Sequence, residues 1–293
     1  MENVVKFNSN SFGTRLGSMI KVDFRRMFKS RLFYILIACA LVIPILITVM
    51  MSMMDGSVSV DPQTGAETVM QGPENAWQSI GSLPTDETES DGETDDDKTA
   101  EGDEAAGDAA AAMGGMDVMS MCNINMMFMG AAVFICLFIS EDFRSGYAKN
   151  LFTVRAKKGD YVVSKTLAGF VCGALMLIAY FIGAMLGGAI SGLSFDLGTL
   201  TTVNIVMCMI GKIFLMLVFI SIFVLVSVAA KQKAWLALCG SLGAGMLLFM
   251  MVSMITPLGS TIINVALCLA GGAMFAFGLG AFSNLVLKKT SLV

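Results

Sequence analysis

The chain has 293 residues, 56% of them apolar or aromatic and 14% charged, with a mean hydropathy of +0.75 and no histidine. A soluble domain of this length cannot bury so much apolar surface, so the bilayer is expected as its solvent, and the missing imidazole removes Ser-His-Asp and Cys-His catalysis together with His-ligated metals. The net charge of -4 hides two opposed parts: Asp55 to Asp117 carries 17 of the 23 acids and one base, Lys98, while the rest carries 18 bases and 6 acids, as in a membrane protein with basic cytoplasmic ends and one exported acidic loop.

Residues 1–31 read as a cytoplasmic N-terminus containing an interfacial helix. Leu16, Met19, Ile20, Phe24, Met27 and Phe28 recur at helical spacing, and Arg15, Lys21, Arg25, Arg26 and Lys29 occupy the complementary face, a pattern suited to the inner leaflet. Residues 32–54 form the first expected transmembrane helix. Residues 55–117 are rich in Asp, Glu, Gly, Ala, Ser and Thr, with Trp77 as the one aromatic ring. Such a loop is expected to be extracellular and without order of its own, because it has too little apolar surface to bury. Residues 118–140 give the second transmembrane helix, residues 141–165 a basic cytoplasmic connection, residues 166–287 four more spans, and residues 288–293 a cytoplasmic tail. The charge-free run 234–287 is too long for one crossing, and Thr256-Pro257-Leu258-Gly259-Ser260 supplies the break, since Pro lacks the amide and Gly weakens a helix. The expected fold is therefore an all-α integral membrane protein of six transmembrane helices in the plasma (inner) membrane, multi-pass, with both termini cytoplasmic.

Several residues inside this frame are candidates for function. Lys212 interrupts an apolar run and is either a site or a side chain snorkelling to the outer interface, the latter being the expectation. Met50, Met53, Met54, Met119, Met126 and Met127 cluster at the external ends of the first two spans, where they are packing residues, a pliable substrate surface or soft ligands for Cu(I). Small residues at four-residue spacing (Gly169 and Gly173, Gly183 and Gly187, Gly188 and Gly192) allow close helix approach. The seven cysteines lie singly in apolar runs and read as small hydrophobes. No metal site is expected. There is no G-x-x-x-x-G-K-[ST] sequence, so nucleotide binding through a P-loop is not expected in this chain.

The stretch from Ser140 to Leu167, SEDFRSGYAKNLFTVRAKKGDYVVSKTL, leaves a span with Glu141 and Asp142, passes a Ser-Gly step and re-enters at Lys165. Here the sequence resembles the permease subunits of ABC transporters of the type-2 exporter class, on Glu141, Ser145, Gly146, Lys149, Asn150, Leu151, Arg155, Tyr161 and Lys165, with Lys157 and Lys158 adding to the basic character. The resemblance implies that the short helix of this connection is a coupling helix seated on an ABC ATPase subunit, and that the interfacial helix, with Arg15, Lys21, Phe24, Arg25, Arg26 and Phe28, is a further contact. It implies two copies of that ATPase, which would bind the ATP and Mg, with no cofactor in this chain. A second permease copy is also implied, in a homodimer first and a heterodimer second, with the lipid bilayer as the other partner and no nucleic acid. The cargo implied is an amphipathic substrate moved outward, a peptide first and a lipid or drug next. The competing reading is a non-transporting sensor or anchor with an acidic extracellular ligand-binding loop.

Overall fold

The structure, a computed structural model, describes residues 12–53, 58–60, 67–69, 75–80, 123–154, 158–198, 200–230 and 233–289. Its helices are α1 (Phe12–Lys29), α2 (Arg31–Met53), α3 (Met126–Arg144), α4 (Tyr147–Val154), α5 (Lys158–Ser191), α6 (Thr202–Ala230), α7 (Ala234–Ile255) and α8 (Ile262–Lys289). Strands β1 (Val58–Val60) and β2 (Glu67–Val69) pair antiparallel, and a 3-10 turn covers Ala76–Ser79. Among the described residues, α2, α3, α5, α6 and α8 are long and apolar enough to cross a membrane, and α7 adds a shorter apolar run, Ala234–Phe249. The six expected spans thus correspond to five full-length helices and one shorter one, in an all-α membrane protein.

The helices alternate in direction, so α1, α4, the start of α5 and the end of α8 share one end of the bundle. The turn at Ala76–Ser79 lies at the other, which we call the Trp77 end. The helix break falls at 256–261, between α7 and α8, where Thr256 N donates to Val252 O and Ser260 N to Pro257 O.

Three helix ends differ from the bounds of the expected spans. The helix carrying the second span begins at Met126 and runs on through Glu141 and Asp142 to Arg144; residues 118–122 lie outside the described ones. The helix carrying the third starts at Lys158, so Tyr161 and Lys165 belong to a long helix and not to a loop. The physical reason is that Asp142 and Lys165, charged residues near these helix ends, find partners there.

Helices α3 and α6 supply the centre of the bundle. Phe128 and Phe219 meet with ring centroids 4.6 Å apart, and Ile135, Ile139, Met216, Ile220 and Phe223 are fully buried around them. The glycines set how closely the outer helices approach. A Cβ on Gly183 would collide with the backbone carbonyl of Leu41, and one on Gly187 would lie 3.0 Å from Ile45 Cα, so α2 packs backbone to backbone on α5. Van der Waals contact of this kind replaces the hydrophobic driving force that is missing between helices in lipid.

The acidic segment departs from expectation where it is described. Asn75 Nδ2 donates to Asp196 O at 2.5 Å, Ala76 N to Ser194 O at 3.0 Å and Trp77 Nε1 to Phe195 O at 3.2 Å. Ile124 N donates to Ser79 O at 3.1 Å, and Ile80 and Ile124 are fully buried. Residues 75–80 are therefore a turn pinned to the connection between α5 and α6. Composition missed it because Ala76, Trp77 and Ile80 find apolar surface on the bundle rather than within their own loop. Residues 81–122 lie outside the described residues.

Candidate functional site

The end of α3 is built by Gly146. Its φ of 74° is the left-handed conformation that closes a helix, Ser145 N donates back to Glu141 O at 2.8 Å, and Asn150 N donates to Gly146 O at 3.1 Å to open α4. A side chain at this position would strain the backbone. The Ser-Gly step in the sequence is thus the hinge point between a span and a short helix lying beyond it. On α4, Ala148 is buried, and Phe152 meets Tyr161 edge-on at 5.3 Å. Lys149, Asn150 and Thr153 stay exposed, and Leu151 is half-buried.

Beneath α4 lies a buried charge cluster. Lys165 Nζ is 2.7 Å from Asp23 Oδ1 and 2.6 Å from Asp142 Oδ2, and all three side chains are essentially inaccessible. Arg26 Nη1 is 2.6 Å from Asp142 Oδ1. Ser164 Oγ donates to Asp23 Oδ2 at 2.5 Å, and Tyr161 Oη donates to Asp142 Oδ2 at 3.1 Å. Phe138 and Tyr147 supply π faces: Lys165 Nζ sits 4.0 Å from the Phe138 centroid and the Arg26 guanidinium 4.3 Å from that of Tyr147. Two acids and two bases balance, so the cluster is neutral while each ion remains partnered. Burial alone would be costly, and only such complete pairing makes it tolerable. Burial works against the Arg26 charge, but Asp142, then Tyr147 and Asp23, outweigh it, and its pKa is raised. The Tyr147 phenol is pushed up by burial and by Asp23, against the opposing effect of Arg26.

Of the residues expected from sequence, the structure brings Arg26, Tyr161 and Lys165 together. Arg26 is a correction: expected on the outward basic face of α1, it turns inward because Asp142 is there to pair with it. Lys21, Arg25 and Phe28 are exposed, and Phe24 is half-buried. Glu141 and Ser145 are exposed beside the cluster and take no part in its ion pairs. Lys158 Nζ donates to Leu287 O at 2.6 Å, tying the start of α5 to the end of α8 instead of projecting freely. Arg155 and Lys157 lie outside the described residues, as does the side chain of Arg15.

Asp23 was missed as a site residue. Its signal was present: an acid spaced four residues from both Met19 and Met27, on the apolar face of α1, is out of place unless a buried base awaits it.

Lys212 is the second correction. It does not snorkel, being 1% exposed. Its Nζ donates to Asn125 Oδ1 at 2.8 Å and to Thr256 Oγ1 at 3.2 Å. Asn125 precedes α3 and Thr256 follows α7, so one ammonium on α6 clasps the ends of two other helices. The polar groups at those helix ends hold the ammonium inside the bundle instead. The methionines separate: Met50 and Met53 are exposed on α2, Met126 is exposed at the start of α3, and Met127 is buried in the core. Met54 and Met119 lie outside the described residues.

Fold and site together define a multi-pass helical membrane protein in which a short helix, carried between two spans, rests on a buried ionic junction. Over residues 104–244, which include α3, α4, α5 and α6, the chain matches the family described as ABC-2 family transporter protein. The matched stretch is just under half of the chain and is a similarity to ABC-2 type membrane subunits over those residues. Comparison with curated proteins finds no match, and neither does comparison with solved structures.

Proposed function

We propose that the chain is the membrane half of an ATP-driven exporter in which α4 is the coupling helix that receives motion from a separate ATPase. The observation that carries this reading is the junction of Asp23, Arg26, Asp142 and Lys165, which joins α1, α3 and α5 directly beneath α4. A force on α4 would pass through Gly146 into α3 and through Phe152 and Tyr161 into α5, so a docked partner could move both spans as one piece. The exposed Lys149 and Asn150 would meet the ATPase, together with the basic face of α1. In this reading the α4 end faces the cytoplasm, in keeping with its basic residues.

Two permease copies, identical first and different second, would pair with two ATPases that bind ATP and Mg. The cargo would be amphipathic, a peptide before a lipid or drug, with the exposed Met50, Met53 and Met126 as adaptable apolar contacts. The test is the double variant K149E/N150D, made on the exposed face of α4 and away from the junction. It should insert and fold normally but lose most of the ATPase recovered by copurification. Full recovery of the ATPase would remove α4 as the docking element.

A further inference from the structure

Helices α6, α7 and α8 enclose a half-open cavity of about 280 Å³ whose walls are almost wholly apolar. It runs from Ile255 and Cys268 near the Trp77 end inward to Leu248 and Phe275. At 1.5 Å per residue this is about 10 Å along the helices, or roughly two thirds of the ~15 Å hydrocarbon depth of one leaflet. Several of its lining residues are also exposed on the outer surface, Leu267 at 65% and Met251 at 54%, so the cavity opens on the outside of the helix bundle.

Its size and chemistry select the occupant. Apolar walls do not hold water, and a cavity of ~150 Å³ already takes up a benzene. A helix, at ~10 Å across, is too wide to enter, whereas a single hydrocarbon chain fits and restores the dispersion contacts that an empty space forfeits. The Trp77 end of the cavity also carries charge. Lys212 is held by Thr256, the residue after Ile255, and a Cβ on its neighbour Gly211 would lie 4.0 Å from Cys268 Sγ. Among the described residues no carboxylate pairs with it.

We propose that this cavity binds one acyl chain of an anionic phospholipid from the leaflet at the Trp77 end, with the phosphate lying over the Thr256–Ser260 turn within the field of Lys212. The site would be a lipid-binding position separate from the α4 junction and independent of how the ATPase docks.

Gly271 provides the test, because it lines the cavity and a Cβ added there meets nothing within 4 Å. Gly278, also open but not among the lining residues, provides the matched control. The purified full chain in nanodiscs is photolabelled with phosphatidylglycerol or phosphatidylcholine carrying a diazirine in one acyl chain, and labelled residues are mapped by peptide mass spectrometry. Labelling at Leu248, Cys268 and Phe275 should be severalfold stronger with the anionic lipid. The surface residues Leu247 and Phe277 should be labelled equally by both lipids. G271F should remove most of the cavity labelling, and G278F should leave it intact. Equal cavity labelling by the two lipids overturns the proposal, as does labelling that survives G271F, or a dimeric protein in which the cavity is protected from both lipids by the second copy. The lipid comparison in the unaltered protein decides the matter even if a variant fails to fold.

Discussion

Lys165 Nζ lies 2.7 Å from Asp23 Oδ1, across 142 positions of sequence. The pair fixes the N-terminal amphipathic helix to the first turns of a membrane span, with Asp142 at the end of another span completing the junction. An ammonium shared by two buried carboxylates is a demanding arrangement, since removing it leaves both acids short of their counter-ion.

K165M should therefore destabilise the protein by about 3–5 kcal/mol, the usual cost of leaving a buried charge uncompensated. Adding D23N should recover part of that loss, since the two residues are coupled. Thermal or denaturant unfolding of the two single variants and the double variant in one detergent measures the coupling. Strict additivity would mean that the junction does not act as a unit.

Burial of Lys212 makes a prediction that snorkelling does not. A cysteine at this position should react with a charged, water-borne thiol reagent far more slowly than one replacing Met53, which is 83% exposed. The comparison should be made in a background lacking Cys39 and Cys239, the two exposed cysteines among the described residues. Comparable rates at both positions would place the Lys212 side chain at an aqueous surface.

The glycine positions divide by what surrounds them. G183A forces a methyl group against the Leu41 carbonyl and should cost about 1–3 kcal/mol as α2 is pushed off α5. G243A, in α7, meets nothing within 4 Å and should be neutral or stabilising by up to ~1 kcal/mol through helix propensity. Unfolding midpoints of the two variants test the contrast directly.

Tyr147 links the junction to alkaline pH. Its folded pKa is raised by burial and by Asp23, so its contribution to stability is whole below the ordinary phenol value of about 10. That contribution is lost as pH rises through the higher folded value. Y147F should flatten the fall in thermal midpoint between about pH 9.5 and 11. A profile identical to that of the unaltered protein would detach Tyr147 from the effect.

Hydropathy and spacing alone determined the membrane class, the helical order, the break at Pro257 and the amphipathic α1, because each depends on residues near one another along the chain. The short helix after the Ser145-Gly146 step was expected from the family resemblance, not from spacing. Partner choice was decided only by tertiary structure. Arg26 faces inward because Asp142 is there. Lys212 is buried because Asn125, 87 positions away, and Thr256, 44 positions away, present oxygens to it. Residues 75–80 are ordered because the α5–α6 connection offers carbonyls and apolar surface. A period of 3.6 residues tells which side of a helix is apolar, whereas the identity of what lies opposite depends on how separate helices pack. That is why an acid on the apolar face of α1 could be seen in the sequence while the lysine that neutralises it could not.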